Sequence, residues 1–279
     1  MWLNAPALWA HALRRDALSD HKYARGHFTV LGGETATGAA RLAALAGRRA
    51  GAGLATIAAP RTAMAVYQAS DPGNLIARVD DAAAFAGLLD DRRRNAILVG
   101  PGAGLNERTR ASTLAALATR RAVVLDADAI TVFADSAQTL FEAIDGPVLL
   151  TPHEGEFKRL FPEMTSVSAK GQGKVERVRQ AAQRSGATVL LKGPDTVIAA
   201  PDGRAVINVH APGSLATAGS GDVLAGIVGG LMAQGLAPLA AGAAASWLHG
   251  ECGYRFKRPG LIAEDLISEL PQALEAAFN

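Results

Sequence analysis

The segment 212–235 carries the residues whose types and spacing point most directly to chemistry. Glycines and small residues lead up to Asp222, and an apolar run with helical spacing follows it. A glycine-rich turn that opens into a helix directs several backbone N–H groups, and the positive end of the helix dipole, towards one point. An anion such as phosphate is well placed there. Small or absent side chains, which let the anion approach the main chain, occur at Thr217, Gly219, Ser220 and Gly221.

Asp222 is unusual beside an anion site, because its carboxylate repels a phosphate. The repulsion is tolerable where the carboxylate takes the proton from a hydroxyl group that attacks the phosphate. Aspartate is also a favoured N-cap residue, and in that interpretation it only begins the helix. The sequence of the turn leaves these two roles, general base and helix cap, as equal alternatives.

Strand and helix patterns surround this turn and predict the elements that position it. Apolar segments typical of strands cover 27–31, 54–59, 96–99, 122–125, 147–150 and 188–191, and 196–200 with 205–209 predict a hairpin. Helical patterns cover 5–17, 35–50, 107–119 and 175–185, and three later helices begin at 223, 238 and 264. Strands that alternate with helices indicate β-α-β units, and hence an α/β fold with a parallel sheet.

Polar or glycine-rich motifs follow most of the predicted strands. They are Gly32-Gly33, the segment 100–104, Asp126 with Asp128, the segment 153–156 and the segment 192–196. Ligands of open α/β sheets bind beyond the carboxyl ends of the strands. We therefore expect these motifs and Asp222 to share one edge of the sheet.

The glycine motifs have both structural and functional interpretations. Gly32-Gly33 before a helix suggests a dinucleotide fold, but the G-x-G-x-x-G spacing is missing, which makes that interpretation weak. Gly102 and Gly104 permit either the close approach of a ligand or a tight turn. Neither motif identifies a ligand alone.

The charged motifs are equally ambiguous when each is taken alone. Asp126 and Asp128 could share a metal ion, although hard cations need more than two oxygens, or Asp128 could cap the next helix. His153 fits a helix-capping turn better than a metal site, because metal-ligand spacing is absent. Lys192 could neutralise a phosphate or lie exposed on a loop. Their shared position on one sheet edge is the stronger signal.

Composition excludes several classes of function. The 279 residues include 28 basic and 26 acidic side chains, and no Lys/Arg block of the kind that binds nucleic acid is present. The sequence has neither a signal peptide nor an apolar run of the ~18 residues that span a membrane. The single cysteine, Cys252, excludes an intrachain disulfide and suits a buried position. We expect one cytoplasmic domain over 1–279, with 1–20 as a leader, and neither nucleic acid nor membrane as a partner.

Motifs that are missing narrow the chemistry further. The sequence has no Walker A segment, no serine nucleophile elbow and no cysteine nucleophile with suitable partners. What remains is a nucleotide site without a P-loop, with a carboxylate at the start of a helix. Phosphoryl transfer suits it best: the glycine-rich turn would hold the transferred group, a divalent ion would offset its charge, and Asp222 would accept the proton.

The sequence of residues 219–226, Gly-Ser-Gly-Asp-Val-Leu-Ala-Gly, resembles the Gly-Thr-Gly-Asp signature of the ribokinase-like superfamily. That signature supplies an anion hole and a catalytic aspartate. Further stretches, in the family's order, make the chain from about His21 to Ala277 resemble the ADP/ATP-dependent NAD(P)H-hydrate dehydratase family. They are His21-Lys22 with Gly26-His27 and the segments 51–54, 100–104, 126–129, 151–156 and 192–196.

The resemblance implies a ribokinase-like α/β fold, in which helices cover both faces of a central, mostly parallel sheet. It implies an enzyme that phosphorylates the ring hydroxyl of the hydrated nicotinamides NADHX and NADPHX, with ADP (or ATP) as donor and Mg²⁺ as the accompanying ion. Phosphate then leaves, NADH or NADPH is restored, and ADP becomes AMP. The resemblance further implies a homo-oligomer, for which a tetramer is the candidate, and a separate epimerase that acts on the same metabolite.

Position by position, the resemblance also implies roles for individual residues. Ala39, Gly104 and His153 would contact the hydrated dinucleotide, and Asp222 would contact its hydroxyl group and act as the base. The adenine nucleotide would lie against Lys192, Gly193, Pro194, Asp195, Thr196, Gly219, Ser220 and Gly221. No residue is assigned to the metal ion.

Three positions depart from the family pattern. Ser220 stands where Thr or Met is usual, and Ala103 replaces a common Leu; both changes leave the glycines intact. Glu154 replaces a Pro after His153, which adds a negative charge and bears on the orientation of the imidazole.

Other functions stay open at this stage. A vitamin-pathway kinase of the same superfamily, of the hydroxyethylthiazole or hydroxymethylpyrimidine type, would share the Gly-Ser-Gly-Asp turn but not the paired motifs at 100–104 and 151–156. A nucleotide-binding regulator without turnover would have no need of Asp222. An NAD-dependent oxidoreductase would need the missing dinucleotide fingerprint.

Overall fold

A sheet of ten strands forms the centre of the computed structural model, which describes residues 1–14, 21–165 and 173–278. The strands lie in the order β1-β10-β9-β8-β7-β6-β5-β2-β3-β4. Neighbours pair in parallel, except that β9 is antiparallel to both β8 and β10. The strands are β1 (Trp2–Leu3), β2 (His27–Leu31), β3 (Leu54–Ala59), β4 (Leu75–Arg78), β5 (Ala96–Val99), β6 (Ala122–Leu125), β7 (Val148–Leu150), β8 (Thr188–Leu191), β9 (Thr196–Ala199) and β10 (Ala205–Asn208).

Helices cover both faces of this sheet, as the sequence predicts. The packing of α1, α9, α10 and α11 buries one face, and that of α3, α4, α6, α7 and α8 buries the other. The helices are α1 (Thr37–Arg49), α2 (Met64–Gln68), α3 (Ala82–Leu89), α4 (Glu107–Ala118), α5 (Asp128–Thr131), α6 (Ala137–Ala143), α7 (Glu154–Leu160), α8 (Lys174–Ser185), α9 (Ser220–Ala233), α10 (Pro238–Arg255) and α11 (Ala263–Phe278).

Strand β5 shows why its sequence is apolar throughout rather than alternating. Ala96 and Leu98 belong to the core on one side of the sheet, and Ile97 and Val99 belong to the core on the other. Successive side chains of a strand point to opposite faces, so a strand that is covered on both faces needs apolar residues at every position. The continuous apolar runs in the sequence therefore indicate the parallel part of the sheet.

Helices α1 and α9 pack so closely that their backbones are in contact. A Cβ atom on Gly226 would lie 2.3 Å from the Ala43 carbonyl oxygen, and one on Gly230 would lie 2.3 Å from that of Gly47. No larger residue fits at these two positions of α9 without displacing α1. The contact fixes the start of α9, where Asp222 lies, relative to the sheet.

The predicted strands at 27–31, 54–59, 96–99, 122–125 and 188–191 have these bounds in the structure, and the hairpin of β9 and β10 is confirmed. The helix predicted over 5–17 is wrong: residues 6–8 and 10–12 form two short 3₁₀ turns, and 15–17 lie outside the described residues. Pro6 suits the first position of such a turn, and the turn ends at Trp9, whose φ of −143° is not helical. Two further strands were not predicted: β1, which has two residues, and β4, a partly exposed edge strand.

Cys252 is fully buried in α10, as expected for a small apolar side chain. Among residues 1–14, 21–165 and 173–278, none of the helices combines the length and apolar character that a membrane span requires.

Candidate active site

The loops that follow the parallel strands touch one another at the carboxyl edge of the sheet. A Cβ atom on Gly33 would lie 1.7 Å from the Gly102 carbonyl oxygen, so the loops after β2 and β5 are in backbone contact. The N–H group of Gly104 donates a hydrogen bond of 2.8 Å to Asp128 Oδ2, which joins the loops after β5 and β6. Gly102 and Gly104 have φ angles of +64° and +92°, which glycine adopts at little cost.

Lys192 connects the loop after β8 to the loop after β6. Its Nζ donates a hydrogen bond of 2.8 Å to Asp126 Oδ1 and lies 4.0 Å from Glu156 Oε2. Burial opposes the charge of this ammonium group, but Asp126 and Glu156 outweigh burial and hold its pKa above the usual value. The alternative of an exposed loop lysine is therefore wrong, since only 20% of this side chain is exposed.

Asp126 and Asp128 point to different partners because of the residue between them. Ala127 has φ +46° and ψ −113°, a strained conformation for a residue with a side chain. The turn sends Asp126 to Lys192 and Asp128 to the Gly104 amide. Asp128 does not cap α5, since Ala127 is the N-cap residue and no side-chain cap is formed. The strained conformation of Ala127 thus places Asp126 and Asp128 against their different partners.

His153 is the N-cap residue of α7, as the capping interpretation expects. Its Nδ1 accepts hydrogen bonds from the N–H groups of Gly155 (2.9 Å) and Glu156 (3.3 Å), and Glu156 Oε2 accepts one from the His153 N–H (2.8 Å). This capping box holds the imidazole in place. Glu154 does not disturb it, because its carboxylate pairs with Arg177 at 3.3 Å.

The start of α9 presents unpaired N–H groups towards the same edge. The helix begins at Ser220, not at the predicted 223, and its N-cap is Gly219 with φ +83°. Within the described residues, the N–H groups of Gly219, Gly221 and Asp222 donate no hydrogen bond to another group. We name these three N–H groups the cradle. The cap interpretation of Asp222 is wrong, because Asp222 is the third residue of the helix and its carboxylate makes no cap hydrogen bond.

Asp222 has an environment suited to taking a proton near neutral pH. Burial raises the pKa of its carboxyl group to about 6; Asp126 and Asp128 act in the same direction, and Lys192 opposes them. Lys192 Nζ would lie 3.6 Å from a Cβ atom on Gly221, the residue before Asp222. The cradle, an ammonium group and a carboxylate with a raised pKa thus meet at one place.

A cavity of about 470 Å³ opens beside the cradle. The segment 192–196 forms one wall, braced by a hydrogen bond of 2.9 Å from Thr196 Oγ1 to the Gly193 carbonyl oxygen. The lining includes His153, Lys192, Pro194, Ser220, Gly221 and Leu224. A cavity of this size with a few convergent polar groups suits a nucleotide-sized ligand.

Some of the residues with predicted roles lie outside this cavity. Asp195 forms an ion pair with Lys174 at 2.9 Å, and its side chain is 59% exposed. Gly104 is joined to the site through Asp128, as described above. Ala39 is partly exposed and lies in the first turn of α1. One turn further along this helix is Leu42, whose Cδ1 would lie 2.7 Å from a Cβ atom on Gly219. Ala39 and Gly104 therefore do not line the cavity.

Two features of the site were not predicted from the sequence: His249 and the ion-pair partners of Lys192. His249 lies in α10, only 7% exposed, with Nε2 3.0 Å from Ser220 Oγ. A lone histidine within an alanine- and glycine-rich helix was the available signal. The Lys192–Asp126 pair joins residues 66 positions apart, and no local pattern indicates it.

Known proteins resemble this chain over most of its length. A sequence profile described as NAD(P)H-hydrate dehydratase matches residues 28–272. A bifunctional NAD(P)H-hydrate repair enzyme Nnr of Gloeobacter violaceus is 38% identical over 238 residues, which are 84% of this chain and 46% of the relative. The chain thus spans about half the length of the curated relatives that it matches.

Solved structures agree with that match. An ADP/ATP-dependent NAD(P)H-hydrate dehydratase from Bacillus subtilis, co-crystallised with ATP/Mg²⁺, superposes with a TM-score of 0.82 and 30% identity, over 95% of this chain and 94% of that one. A ribokinase-like superfamily protein from Enterococcus faecalis gives a TM-score of 0.85 over 99% of this chain and 96% of that one, at 22% identity, and confirms the ribokinase-like fold. A hydroxyethylthiazole kinase from Pyrococcus horikoshii is more distant, with a TM-score of 0.63 at 17% identity over 90% of this chain and 89% of that one. The profile match and the Bacillus structure together show that the chain belongs to the NAD(P)H-hydrate dehydratase family.

Proposed function

We propose that this protein restores NADH and NADPH from their hydrated forms, NADHX and NADPHX, with ADP (or ATP) as the phosphoryl donor. The observation that carries the proposal is the position of Asp222, whose carboxyl pKa is raised to about 6, beside the cradle and Lys192. Family membership supports the same reaction. A vitamin-pathway kinase is the weaker alternative, since its solved representative shares the fold alone.

In the proposed reaction, Asp222 takes the proton of the nicotinamide ring hydroxyl as the oxygen attacks the terminal phosphorus of the nucleotide. The new O–P bond replaces the bond to the leaving nucleotide, which departs as AMP when ADP is the donor. The cradle N–H groups and Lys192 stabilise the negative charge of the transferred group. The ring nitrogen then expels phosphate from the carbon, and loss of a proton from the neighbouring carbon restores the dihydronicotinamide.

Substrate and nucleotide would occupy the two sides of Asp222. We assign the adenine nucleotide to the cavity, against the segment 192–196 and the turn 219–221, because these residues supply a cation and free N–H groups. The hydrated dinucleotide would contact Ala39, Gly104 and His153. His153 is suited to this contact, since its capping box fixes the ring while 53% of the side chain remains exposed.

Mg²⁺ is the proposed companion of the nucleotide. In the described ranges, no group of three or more His, Cys, Asp and Glu side chains is arranged to hold a metal ion. Mg²⁺ favours phosphate oxygens and retains water ligands, so the nucleotide itself suffices to bring it. When bound, the ion would offset the negative charge of the phosphates. The proposed roles of Asp222, Lys192 and the cradle do not depend on which groups bind the ion.

Three further expectations belong to the same proposal. A homo-oligomer, with the tetramer as candidate, is testable by light scattering on the purified protein. An epimerase that acts on the same metabolite would supply the reactive epimer, and relatives named as bifunctional support a link between the two activities. A cytoplasmic location would place the enzyme with the NADH and NADPH pools.

The decisive experiment mixes the purified protein with NADPHX and either ADP or ATP, and follows the absorbance of NADPH. We expect recovery of NADPH that requires the nucleotide and yields one AMP per NADPH with ADP. Hydroxyethylthiazole and hydroxymethylpyrimidine serve as competing acceptors. Phosphorylation of either alcohol without NADPH recovery would favour the vitamin kinase instead.

A further inference from the structure

We propose that His249 is a positioning residue for phosphoryl transfer: it holds the Ser220 side chain so that the Ser220 hydroxyl donates a hydrogen bond to a phosphate of the bound nucleotide. The proposal rests on the proposed function, because it assumes a nucleotide phosphate at the cradle. It adds a side-chain donor to the backbone donors described above. It also gives a role to a buried histidine that the reaction otherwise leaves unused.

The geometry links two helices through one contact. His249 lies in the middle of α10, and its Nε2 lies 3.0 Å from Oγ of Ser220, the first residue of α9. Both side chains are buried, with 7% and 5% exposure, and both residues line the nucleotide cavity. Ser220 is flanked by Gly219 and Gly221, whose N–H groups belong to the cradle. Its hydroxyl is therefore at the right place to serve as a further donor.

The direction of the hydrogen bond depends on which ring nitrogen of His249 carries a hydrogen. Burial lowers the pKa of His249 to about 4, so the ring is neutral at pH 7 and carries one hydrogen. A hydrogen bond to the Ser220 backbone opposes this shift. We place the ring hydrogen on Nε2, the nitrogen that lies 3.0 Å from Ser220 Oγ. The Ser220 oxygen then accepts from the ring, and its own O–H is directed away from His249, towards the cavity.

Helix α10 packs tightly against the chain segment 210–212 beside this contact. A Cβ atom on Gly250 would lie 1.6 Å from the His210 carbonyl oxygen, and one on Gly253 would lie 2.7 Å from Pro212 Cγ. The chain segment that contacts α10 here also lines the nucleotide cavity through Ala211 and Pro212. His249 is thus held by the same wall that would contact the nucleotide, so Ser220 is oriented before the nucleotide binds.

A hydroxyl that donates to a charged phosphate oxygen contributes more than one that meets a neutral acceptor. If the donation strengthens as charge moves onto the transferred group, its loss lowers kcat as well as affinity. We expect Ser220→Ala to lower kcat/KM for ADP about tenfold or more. Ser220→Thr keeps the hydroxyl and should stay within about threefold of the wild type. His249→Phe, which keeps a ring of similar size but donates nothing, should resemble Ser220→Ala.

The experiment measures kcat and KM for ADP with NADPHX in these three variants and in the double variant Ser220→Ala/His249→Phe. Thermal unfolding is recorded for each protein. The double variant should lose no more than either single one, because both changes remove the same donor. Ser112→Ala is the matched control: it removes a buried hydroxyl in α4 that has no partner in the described part of the chain, and kinetics should be unchanged.

Each outcome is decisive. Wild-type kinetics in Ser220→Ala would overturn the proposal, even if His249→Phe fails to fold. Lower thermal stability of His249→Phe with unchanged kcat and KM would show a purely structural histidine and would also overturn it. Rescue by Ser220→Thr, together with non-additive losses, would support it. Failure of the wild-type protein to recover NADPH would instead contradict the proposed function. The wild-type assay is run first, so this outcome is distinguished from failure of the His249 proposal.

Discussion

The two ends of the central sheet each bury a histidine, and the one at the carboxyl end lines the cavity beside the cradle. At the amino end, His27 Nε2 lies 2.7 Å from Thr56 Oγ1, and Arg94 Nη1 donates to the same oxygen at 2.9 Å. At the carboxyl end, His249 contacts Ser220 beside unpaired N–H groups. Burial lowers the pKa of both imidazoles to about 4. Burial and a shifted pKa therefore do not distinguish a structural network from a functional one; the open donors beside the cavity do.

The charges at the two ends differ in the same way. At the amino end, the half-buried Arg94 bonds to neutral partners, His27 and Thr56. At the carboxyl end, the Lys192 ammonium group is attracted by Asp126, Glu156 and Asp222. Burial raises the pKa of Asp222, Asp126 and Asp128 act in the same direction against Lys192, and a base near neutral pH needs such a raised pKa. We expect substitutions at the carboxyl end to change rate, and those at the amino end to change stability alone.

Lys192→Met should have the largest effect. It leaves the Asp126 carboxylate, 2% exposed, without its ion-pair partner. Breaking a buried ion pair by removing one partner lowers the free energy of unfolding by about 3–5 kcal/mol. The change also removes the cation beside the cradle, so NADPH recovery should fall with it. Urea unfolding and the NADPH assay measure the two losses.

The variant Lys158→Met is the control, since Lys158 is exposed on α7 and should change neither quantity. In Lys192→Met/Asp126→Asn the unpaired charge is also gone, and part of the stability should return while activity stays low. Full activity of Lys192→Met would contradict a phosphate-binding role.

Asp222→Asn should lower kcat by about 10²-fold or more, as expected for removal of a general base. Asparagine has the same shape, so calorimetry should find AMP binding within about threefold of wild type, because the cradle N–H groups belong to the backbone. Asp145→Asn, which alters an exposed carboxylate, serves as the matched control. Turnover at the wild-type rate in Asp222→Asn would remove the assignment of the base.

The pH dependence of kcat tests the raised pKa of Asp222 directly. The base works in its ionised form, so activity should be full above the pKa of about 6 and fall as the pH drops through it. From pH 7 to pH 5 the ionised fraction falls about tenfold, and kcat should follow. A fall in kcat near pH 4 instead would mean that Asp222 is solvated like an ordinary aspartate, which would contradict its buried position. Initial rates in buffers of constant ionic strength give the profile.

The sequence predicts the layered fold well because the parallel strands are buried on both sides. Apolar runs such as β3 and β5 have no polar positions that could blur their ends, so the predicted bounds agree with the structure. The prediction is weaker where burial is partial. Strand β4 lies at the sheet edge, and its four residues are exposed or only half-buried, so no buried apolar face indicates it. Helix α9 begins earlier than its apolar run, because the turn glycine Gly219 already has the left-handed conformation that precedes it.

The sequence predicts which residues share the site only where the topology of the sheet brings them to one edge. The rule that ligands bind beyond carboxyl strand ends placed Asp126, His153 and Lys192 on one edge with Asp222, and their contacts agree. The partners of each residue were not predictable. His249 meets Ser220 from a different helix, and only the packing of α9 against α10 brings them together.

His27→Phe at the amino end is the counterpart of the His249→Phe variant. The change removes the ring nitrogen that meets Thr56 and Arg94, and the free energy of unfolding should fall by about 1–2 kcal/mol. Kinetic constants should be unchanged, because no cradle donor contacts this network. Guanidinium unfolding together with KM for ADP measures both. A raised KM would show that the two ends are coupled through the sheet, and the comparison would fail.

Glu154→Pro should have the smallest effect, although it introduces the residue that the family pattern has after His153. Glu154 is the first residue of α7, where proline lacks no needed N–H group, and His153 has the extended φ and ψ of −81° and 171° that precede proline well. The change loses only the pair with Arg177, worth about 0.5 kcal/mol. Glu156→Ala, by contrast, removes the capping-box acceptor for the His153 N–H and should raise KM for NADPHX. If Glu154→Pro instead shifted KM as strongly as Glu156→Ala, the acidic side chain and not the capping box would orient His153.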